Sequence, residues 1–197
     1  LSVSTGRVVE FRAREWLRAN PEPGTVALIY PAHFAAGYVE WPKRGGKKPN
    51  AIVHVTDSAP LMVESGVYVL VRRFSSKEER RRVVAAVFDP ERVPGDLVGF
   101  ENHLNYFHVN GAPLTCPLAL GLAAFLNSTQ FDTYFRQFNG HTQVNATDLR
   151  SVRYPTRQAL EVLGERVGPI FPDQASLDAL VGEALDAEQA LCQTPVA

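Results

Sequence analysis

The chain has 197 residues, of which 45% are hydrophobic and 21% charged, and its formal net charge is −1. This composition is typical of a folded globular domain, and it excludes global disorder and a uniformly basic nucleic-acid binder. No stretch approaches the roughly 18 consecutive apolar residues of a membrane span, and the two cysteines lack ligand spacing. We therefore expect a cytoplasmic protein without membrane spans, structural disulfides or zinc.

Short β-branched and aromatic runs, separated by turn residues, predict a β-rich first half. The predicted strands cover residues 25–30, 38–41, 51–55, 66–73, 83–88 and 102–109, with a turn at residues 35–37. The Pro- and Gly-containing residues 89–99 are predicted to form a loop.

Apolar residues spaced three or four apart predict helices in the second half. The predicted helices cover residues 117–127, 130–138, 161–164 and 176–191, and Ser128 or Thr129 is placed to cap the second of them. A run of strands followed by a run of helices favours an α+β fold. We expect a twisted, mainly antiparallel sheet packed against the helices.

Charge is distributed unevenly along the chain. Residues 1–155 contain 18 Lys and Arg against 14 Asp and Glu, whereas residues 156–197 contain 2 against 7. The first segment therefore carries +4 and the second −5. We predict a main domain over residues 1–155 and a helical, acidic extension over residues 156–197 that packs on it. Because the chain opens on Leu1 rather than Met, we also expect it to be a fragment.

The first candidate DNA-binding segment is the basic loop, residues 41–50 (WPKRGGKKPN). Its cations Lys43, Arg44, Lys47 and Lys48 surround two glycines, which would let the backbone approach a phosphate closely while the cations displace counterions. The alternative is ordinary solvated surface charge. A second cationic group lies at residues 72–82, and of the adjacent Arg72 and Arg73, which point to opposite faces of a strand, we favour Arg73.

The second candidate segment is residues 140–150 (GHTQVNATDLR). The hydroxyl and amide groups of Thr142, Gln143 and Asn145 can form hydrogen bonds with base edges in the major groove. The alternative is that these polar groups only satisfy the backbone of a tight loop. His141 has no second ligand at metal-binding spacing, so we expect no metal site.

The order of motifs across residues 99–155 resembles that of a known protein family. Leu126-Asn127-Ser128 precedes an aromatic helix, and Gly140-His141-Thr142-Gln143, Asn145 and Tyr154-Pro155 follow. This order is similar to the C-terminal target-recognition region of adenine-specific DNA methyltransferases of type II restriction–modification systems. It is more distantly similar to the recognition domains of type I specificity subunits. The opening residues 3–9 resemble the segment by which such enzymes leave their catalytic domain.

The resemblance implies a target-recognition-domain-like fold over residues 1–155 and double-stranded DNA as the partner. Together with the residue chemistry above, it gives as candidate DNA-contacting residues Lys43, Arg44, Lys47, Lys48, Arg73, His141, Thr142, Gln143 and Asn145. It also implies that an N-terminal methyltransferase domain, outside this chain, binds S-adenosylmethionine and carries the catalytic residues. The family's active site contains Asn or Asp, two prolines and an aromatic residue, and the nearest match here, residues 20–23 (NPEP), lacks the paired prolines and the aromatic.

Two other functions compete with DNA recognition. In the first, the chain is an assembly domain that does not touch DNA, and the acidic helix over residues 176–191 packs against another subunit. In the second, Cys116 is the nucleophile of a hydrolase. That interpretation lacks support because a cysteine nucleophile needs a neighbouring base and a lowered pKa, and Cys116 stands before a proline at a predicted helix start. We expect the polar residues 102–106 to organise the core beside the recognition loop instead.

Overall fold

The computed structural model describes residues 1–75, 78–138 and 142–193. Its strands are β1 (Ser2–Thr5), β2 (Leu17–Arg18), β3 (Thr25–Ile29), β4 (Phe34–Ala35), β5 (Tyr38–Val39), β6 (Ala51–Val53), β7 (Met62–Glu64), β8 (Tyr68–Arg72), β9 (Ala85–Phe88), β10 (Leu97–Phe100) and β11 (Leu104–His108). Its helices are α1 (Cys116–Leu126), α2 (Thr129–Phe138), α3 (Ala146–Ser151), α4 (Arg157–Val167) and α5 (Gln174–Gln193).

The strands form two sheets. One has the order β1-β11-β8-β9-β5-β4 and the other the order β2-β6-β3-β10-β7. Among the pairings of these strands, β3 with β10 and β5 with β9 are parallel and the others are antiparallel. The α+β fold with a mainly antiparallel sheet packed against helices is confirmed, but the strands divide between two sheets rather than one.

The prediction of a loop over residues 89–99 was wrong at its end. Leu97–Phe100 forms β10, which joins β3 to β7 in the second sheet. Gly99 has the character of a turn residue, but it lies inside this strand. A Cβ there would come within 3.2–3.4 Å of side-chain atoms of Leu28, Val8 and Ile52, so the glycine fits a crowded core.

Alternation along β8 places two cores on the two faces of the first sheet. Val69 and Val71 are buried in the cluster that includes the helices, whereas Tyr68 and Leu70 are buried in the cluster that reaches the second sheet. The second cluster is aromatic, and the ring of Tyr68 meets that of Phe100 edge to face with centroids 5.4 Å apart. Helices therefore cover one face of the first sheet, and the second sheet packs against the other.

The last two helices share the core of the first 155 residues. Leu160 of α4 and Leu177 and Val181 of α5 are buried in the same cluster as α1. Gly121 of α1 and Gly164 of α4 let the two helix backbones touch, since a Cβ on either would fall 1.8 Å from a carbonyl oxygen of the other helix. The division into residues 1–155 and 156–197 stays a prediction.

Within the described residues, no helix is both long and apolar enough to cross a membrane.

Candidate nucleic-acid interface

The basic loop is held in shape by one buried asparagine. The Asn50 side-chain oxygen accepts hydrogen bonds from the backbone N–H of Lys43 at 2.8 Å and from the His33 ring at 2.9 Å. Its amide donates to the carbonyl of Ala19 at 2.8 Å. Trp41 donates its ring N–H to the Asn50 carbonyl at 2.5 Å. Asn50 and Trp41 therefore hold the two ends of the loop together through hydrogen bonds.

The four predicted cations of this loop differ in what they contact. Lys48 forms an ion pair with Glu10, Nζ to Oε2 at 2.6 Å, and Lys43 donates from Nζ to the carbonyl of Ala32 at 2.6 Å. Arg44 and Lys47 are exposed, and within the described part of the chain neither forms an ion pair. Arg44 and Lys47 are therefore the cations best placed to bind an external anion.

Residues 142–144 extend the first sheet next to the end of β8. Phe74 and Gln143 form an antiparallel bridge, and the backbone N–H of Val144 donates to the carbonyl of Arg73 at 2.7 Å. Thr142 is exposed, and its carbonyl accepts from the N–H of Ser75 at 3.2 Å. The segment is therefore anchored through its backbone. His141 lies outside the described residues.

Asn105 ties this segment to the core. Its amide donates to the Val144 carbonyl at 2.7 Å, and its oxygen accepts from the Thr5 hydroxyl at 3.0 Å. Asn105 is fully buried, and its hydrogen bond to Val144 is shielded from water. This contact agrees with the expectation that residues 102–106 organise the core beside the recognition loop.

Asn145 has a structural role at the start of α3. Together with Asp148 it forms a capping box, in which the Asp148 carboxylate accepts from the Asn145 backbone N–H at 2.9 Å. A capping asparagine directs its side-chain oxygen to the first turn of the helix. Base reading by Asn145 stays a prediction. Thr142 and Gln143 precede this N-cap and lie on the segment that pairs with the end of β8.

Arg73 borders the same segment. Its Nη1 donates to the carbonyl of Asn102 at 3.2 Å, and its guanidinium lies 5.7 Å from the ring centroid of Phe74. Phe74 is 41% exposed, and its ring meets that of His103 with centroids 5.0 Å apart. The end of β8 and the turn between β10 and β11 therefore form one surface of cationic, aromatic and imidazole groups.

The side chains of Glu101 and His103 are in close contact in this turn. The carboxylate of Glu101 is fully buried, and Oε1 lies 2.7 Å from Nδ1 of His103. Oε2 accepts the backbone N–H of His103 at 2.9 Å. Burial raises the pKa of the Glu101 carboxyl, and the contacts with His103 and the charge of Lys48 act in the opposite direction.

Contacts through the buried residues Tyr30 and Glu101 connect the two predicted DNA-binding segments. Lys48 of the basic loop lies 5.4 Å from the Tyr30 ring centroid, and the Tyr30 strand continues beside Glu101, whose N–H donates to the Ile29 carbonyl. From Glu101 the contacts pass to His103, Phe74 and Gln143. We call the set Arg44, Lys47, Lys48, His103, Phe74, Arg73, Thr142 and Gln143 the polar strip. The sequence did not single out His103 and Phe74 as DNA contacts, because their proximity depends on pairing across the sheet.

Two other candidate sites lack the required chemistry. Cys116 is largely exposed, but partial desolvation of its thiol and the charges of Asp89 and Glu91 raise its pKa, which disfavours the reactive thiolate. Within residues 20–23, Glu22 pairs with Arg18 at 2.8 Å at the protein surface. Among the described residues, no three His, Cys, Asp or Glu side chains are grouped as metal ligands.

No family model matches the chain. It is 49% identical over 185 residues to the type II methyltransferase M.PstI of Providencia stuartii, a match that covers 94% of this chain and 36% of the relative. It is 53% identical over 167 residues to the type II methyltransferase M.BsuBI of Bacillus subtilis, covering 85% of this chain and 33% of the relative. The homologues of the chain are therefore type II methyltransferases, and the chain spans about a third of their length.

Proposed function

We propose that the chain is the DNA target-recognition part of an adenine-specific type II methyltransferase of a restriction–modification system. The observation that supports this most is the polar strip, which contains exposed cations of the basic loop and, at the end of β8, the exposed Phe74 beside His103 and Gln143. Cations along such a surface would bind phosphates, and amide and hydroxyl groups beside them would read base edges.

The charge of the last helix supports an orientation with the strip toward DNA. Helix α5 contains Asp178, Glu183, Asp186 and Glu188 and no Lys or Arg. A phosphate backbone would be repelled by this helix and attracted by the loop that carries Arg44 and Lys47. The net charge of −1 is therefore compatible with DNA binding through one face.

Methyl transfer itself is proposed to belong to another part of the full-length enzyme. Residues 20–23 lie in an exposed turn and do not offer the paired prolines and aromatic of the family's active site. We propose that S-adenosylmethionine binds in the N-terminal methyltransferase domain outside this chain. The target base must leave the duplex to reach the methyl donor, so the chain would position the DNA for that step.

Assembly through α5 is the weaker alternative. Leu177 and Val181 are buried against the core, and Leu180 and Leu185 pack partly buried beside them. This apolar face is therefore already covered within the chain, so it is not available for another subunit without local unfolding.

The test compares two sets of variants in the full-length enzyme, on cognate and scrambled duplexes at several salt concentrations. Replacing Arg44 and Lys47 together by Ala should weaken binding of both duplexes and reduce the salt slope by roughly 1 for each phosphate that is no longer neutralised. Arg157 and Arg166 on α4 provide a matched control that removes the same charge away from the strip, and it should leave the slope unchanged.

Gln143→Ala should cost about 1–3 kcal/mol on the cognate duplex and leave the scrambled one nearly unchanged. If Gln143→Ala lowers cognate and scrambled binding equally, base reading by this segment is wrong. If the wild-type enzyme binds DNA equally well at low and high salt, the proposed DNA interface itself is wrong.

A further inference from the structure

His103 belongs to the polar strip, and its side chain contacts the buried carboxylate of Glu101. Its side chain is 46% exposed, whereas that of Glu101 is 0% exposed. A carboxylate removed from water is tolerated when a partner compensates its charge and its hydrogen-bonding capacity. His103 supplies both contacts, through Nδ1 to one oxygen and through its backbone N–H to the other.

The pair leaves one ring nitrogen for an external partner. Because Nδ1 of His103 is directed to Glu101, Nε2 is the nitrogen that a ligand can reach. With Nδ1–H donating to the carboxylate, neutral His103 offers Nε2 as an acceptor, and the protonated ring offers it as a charged donor. The imidazole ring of His103 also packs edge to face against the ring of Phe74, with centroids 5.0 Å apart.

The charged groups around this pair favour an anionic ligand. Arg73, at the end of β8, lies beside Phe74 with its guanidinium 5.7 Å from the ring centroid. Lys48 lies near enough to Glu101 to lower its pKa, and it is itself paired with Glu10. Protonation of His103 would change the His103–Glu101 pair from negative to neutral, and the partly buried Arg73 adds a positive charge beside it.

We propose that protonated His103 donates a hydrogen bond from Nε2 to a DNA backbone phosphate, with Glu101 orienting the ring. This rests on the proposed DNA-binding function, and it adds a protonation-dependent contact to the proposed interface. Glu101 is a positioning residue, because it acts on DNA only through His103. A charged ring binds a phosphate more strongly than a neutral ring, so affinity should increase as pH falls over the range in which imidazole side chains become protonated.

The proposal is tested by DNA affinity as a function of pH in the full-length enzyme. Lowering the pH from 8 to 5.5 should strengthen binding of cognate and scrambled duplexes about tenfold, as one charge-assisted hydrogen bond would. His103→Gln keeps a hydrogen-bonding group but cannot titrate, so its affinity should change much less over the same range. Circular dichroism at both pH values checks that each variant remains folded.

His54→Gln is the matched control. His54 is an exposed histidine that follows β6. Its backbone N–H donates to the carbonyl of Gly24, which precedes β3, whereas Tyr30 follows the other end of that strand. This variant should retain the full pH dependence. Glu101→Gln provides a further readout, because a neutral amide holds the charged ring less strongly than a carboxylate does, so the gain in affinity between pH 8 and 5.5 should be smaller than in the wild type.

The outcomes separate the two proposals. If the wild type binds DNA and His103→Gln keeps the same pH dependence, the His103 contact is wrong while the proposed function stands. If the pH effect is confined to the cognate duplex, the partner is a base edge and the assignment to a phosphate is overturned. If the wild type shows no salt-dependent DNA binding at either pH, the proposed function fails.

Discussion

Replacing Gly164 of α4 by alanine should destabilise the whole chain, although alanine favours helices. A Cβ at Gly164 would fall 1.8 Å from the carbonyl oxygen of Pro117, which lies at the start of the facing helix. An ordinary contact would require the helix backbones to separate by about 1.5 Å, which loosens a close-packed core. Because the methyl group would meet backbone atoms, no side chain can rotate away.

The expected magnitude combines two opposing effects. Forcing a methyl group into a packed interface typically costs about 1–3 kcal/mol and sometimes more. The higher helix propensity of alanine recovers at most about 1 kcal/mol. Since the clash is with a backbone carbonyl that cannot move alone, we expect a net decrease of about 2 kcal/mol or more in the free energy of unfolding.

Gly182→Ala is the matched control for this substitution. Gly182 lies in α5, and the nearest atom to its added Cβ would be Nε2 of Gln130 at 3.9 Å. Without a clash, the same chemical change should be neutral or stabilise the protein by up to about 1 kcal/mol.

Urea unfolding followed by circular dichroism and by tryptophan fluorescence measures both variants. If Gly164→Ala unfolds within about 0.5 kcal/mol of the wild type, the close packing of α1 and α4 is wrong. If α4 and α5 form part of the main core, both probes should report a single shifted transition. Two separate transitions would instead support an extension over residues 156–197 that unfolds independently.

Three further predictions concern stability and the recognition segment. Burial lowers the pKa of His33, so the folded state favours the neutral ring. The free energy of unfolding should therefore fall as pH drops below about 6.5. Urea unfolding at pH 7.5 and 5.5 should show a smaller change in this free energy for His33→Gln than for the wild type. Asn105→Ala should cost about 1–3 kcal/mol, because the Val144 carbonyl loses its buried donor, and equal stability would contradict this. Asn145→Ala should cost about 0.5–2 kcal/mol through removal of the cap, whereas Asn145→Ser should restore most of it; scrambled-duplex binding should be unchanged in both.

The sequence by itself determined most of the local structure. Alternation and β-branching identified β3, β8 and β11, and apolar spacing identified α1 and α2. Of the two residues predicted as possible caps of α2, Ser128 is the one whose hydroxyl accepts from the N–H of Phe131, at 3.1 Å. These features depend on residues close in the chain, where period and turn chemistry carry the information. The order of motifs also pointed to type II methyltransferases, and the homologues agree.

Only the tertiary structure decided how distant residues meet. Gly99 lies inside β10, and Leu28 and Ile52 leave little room for a side chain at this position. The need for glycine here therefore depends on three segments that are distant in the sequence. Asn50 and Asn145, both polar residues of candidate loops, support the backbone through hydrogen bonds that spacing does not reveal. His103 reaches the recognition segment through Phe74, whose position depends on strand pairing. Local sequence preferences determine the elements, whereas long-range packing selects which side chains share a surface.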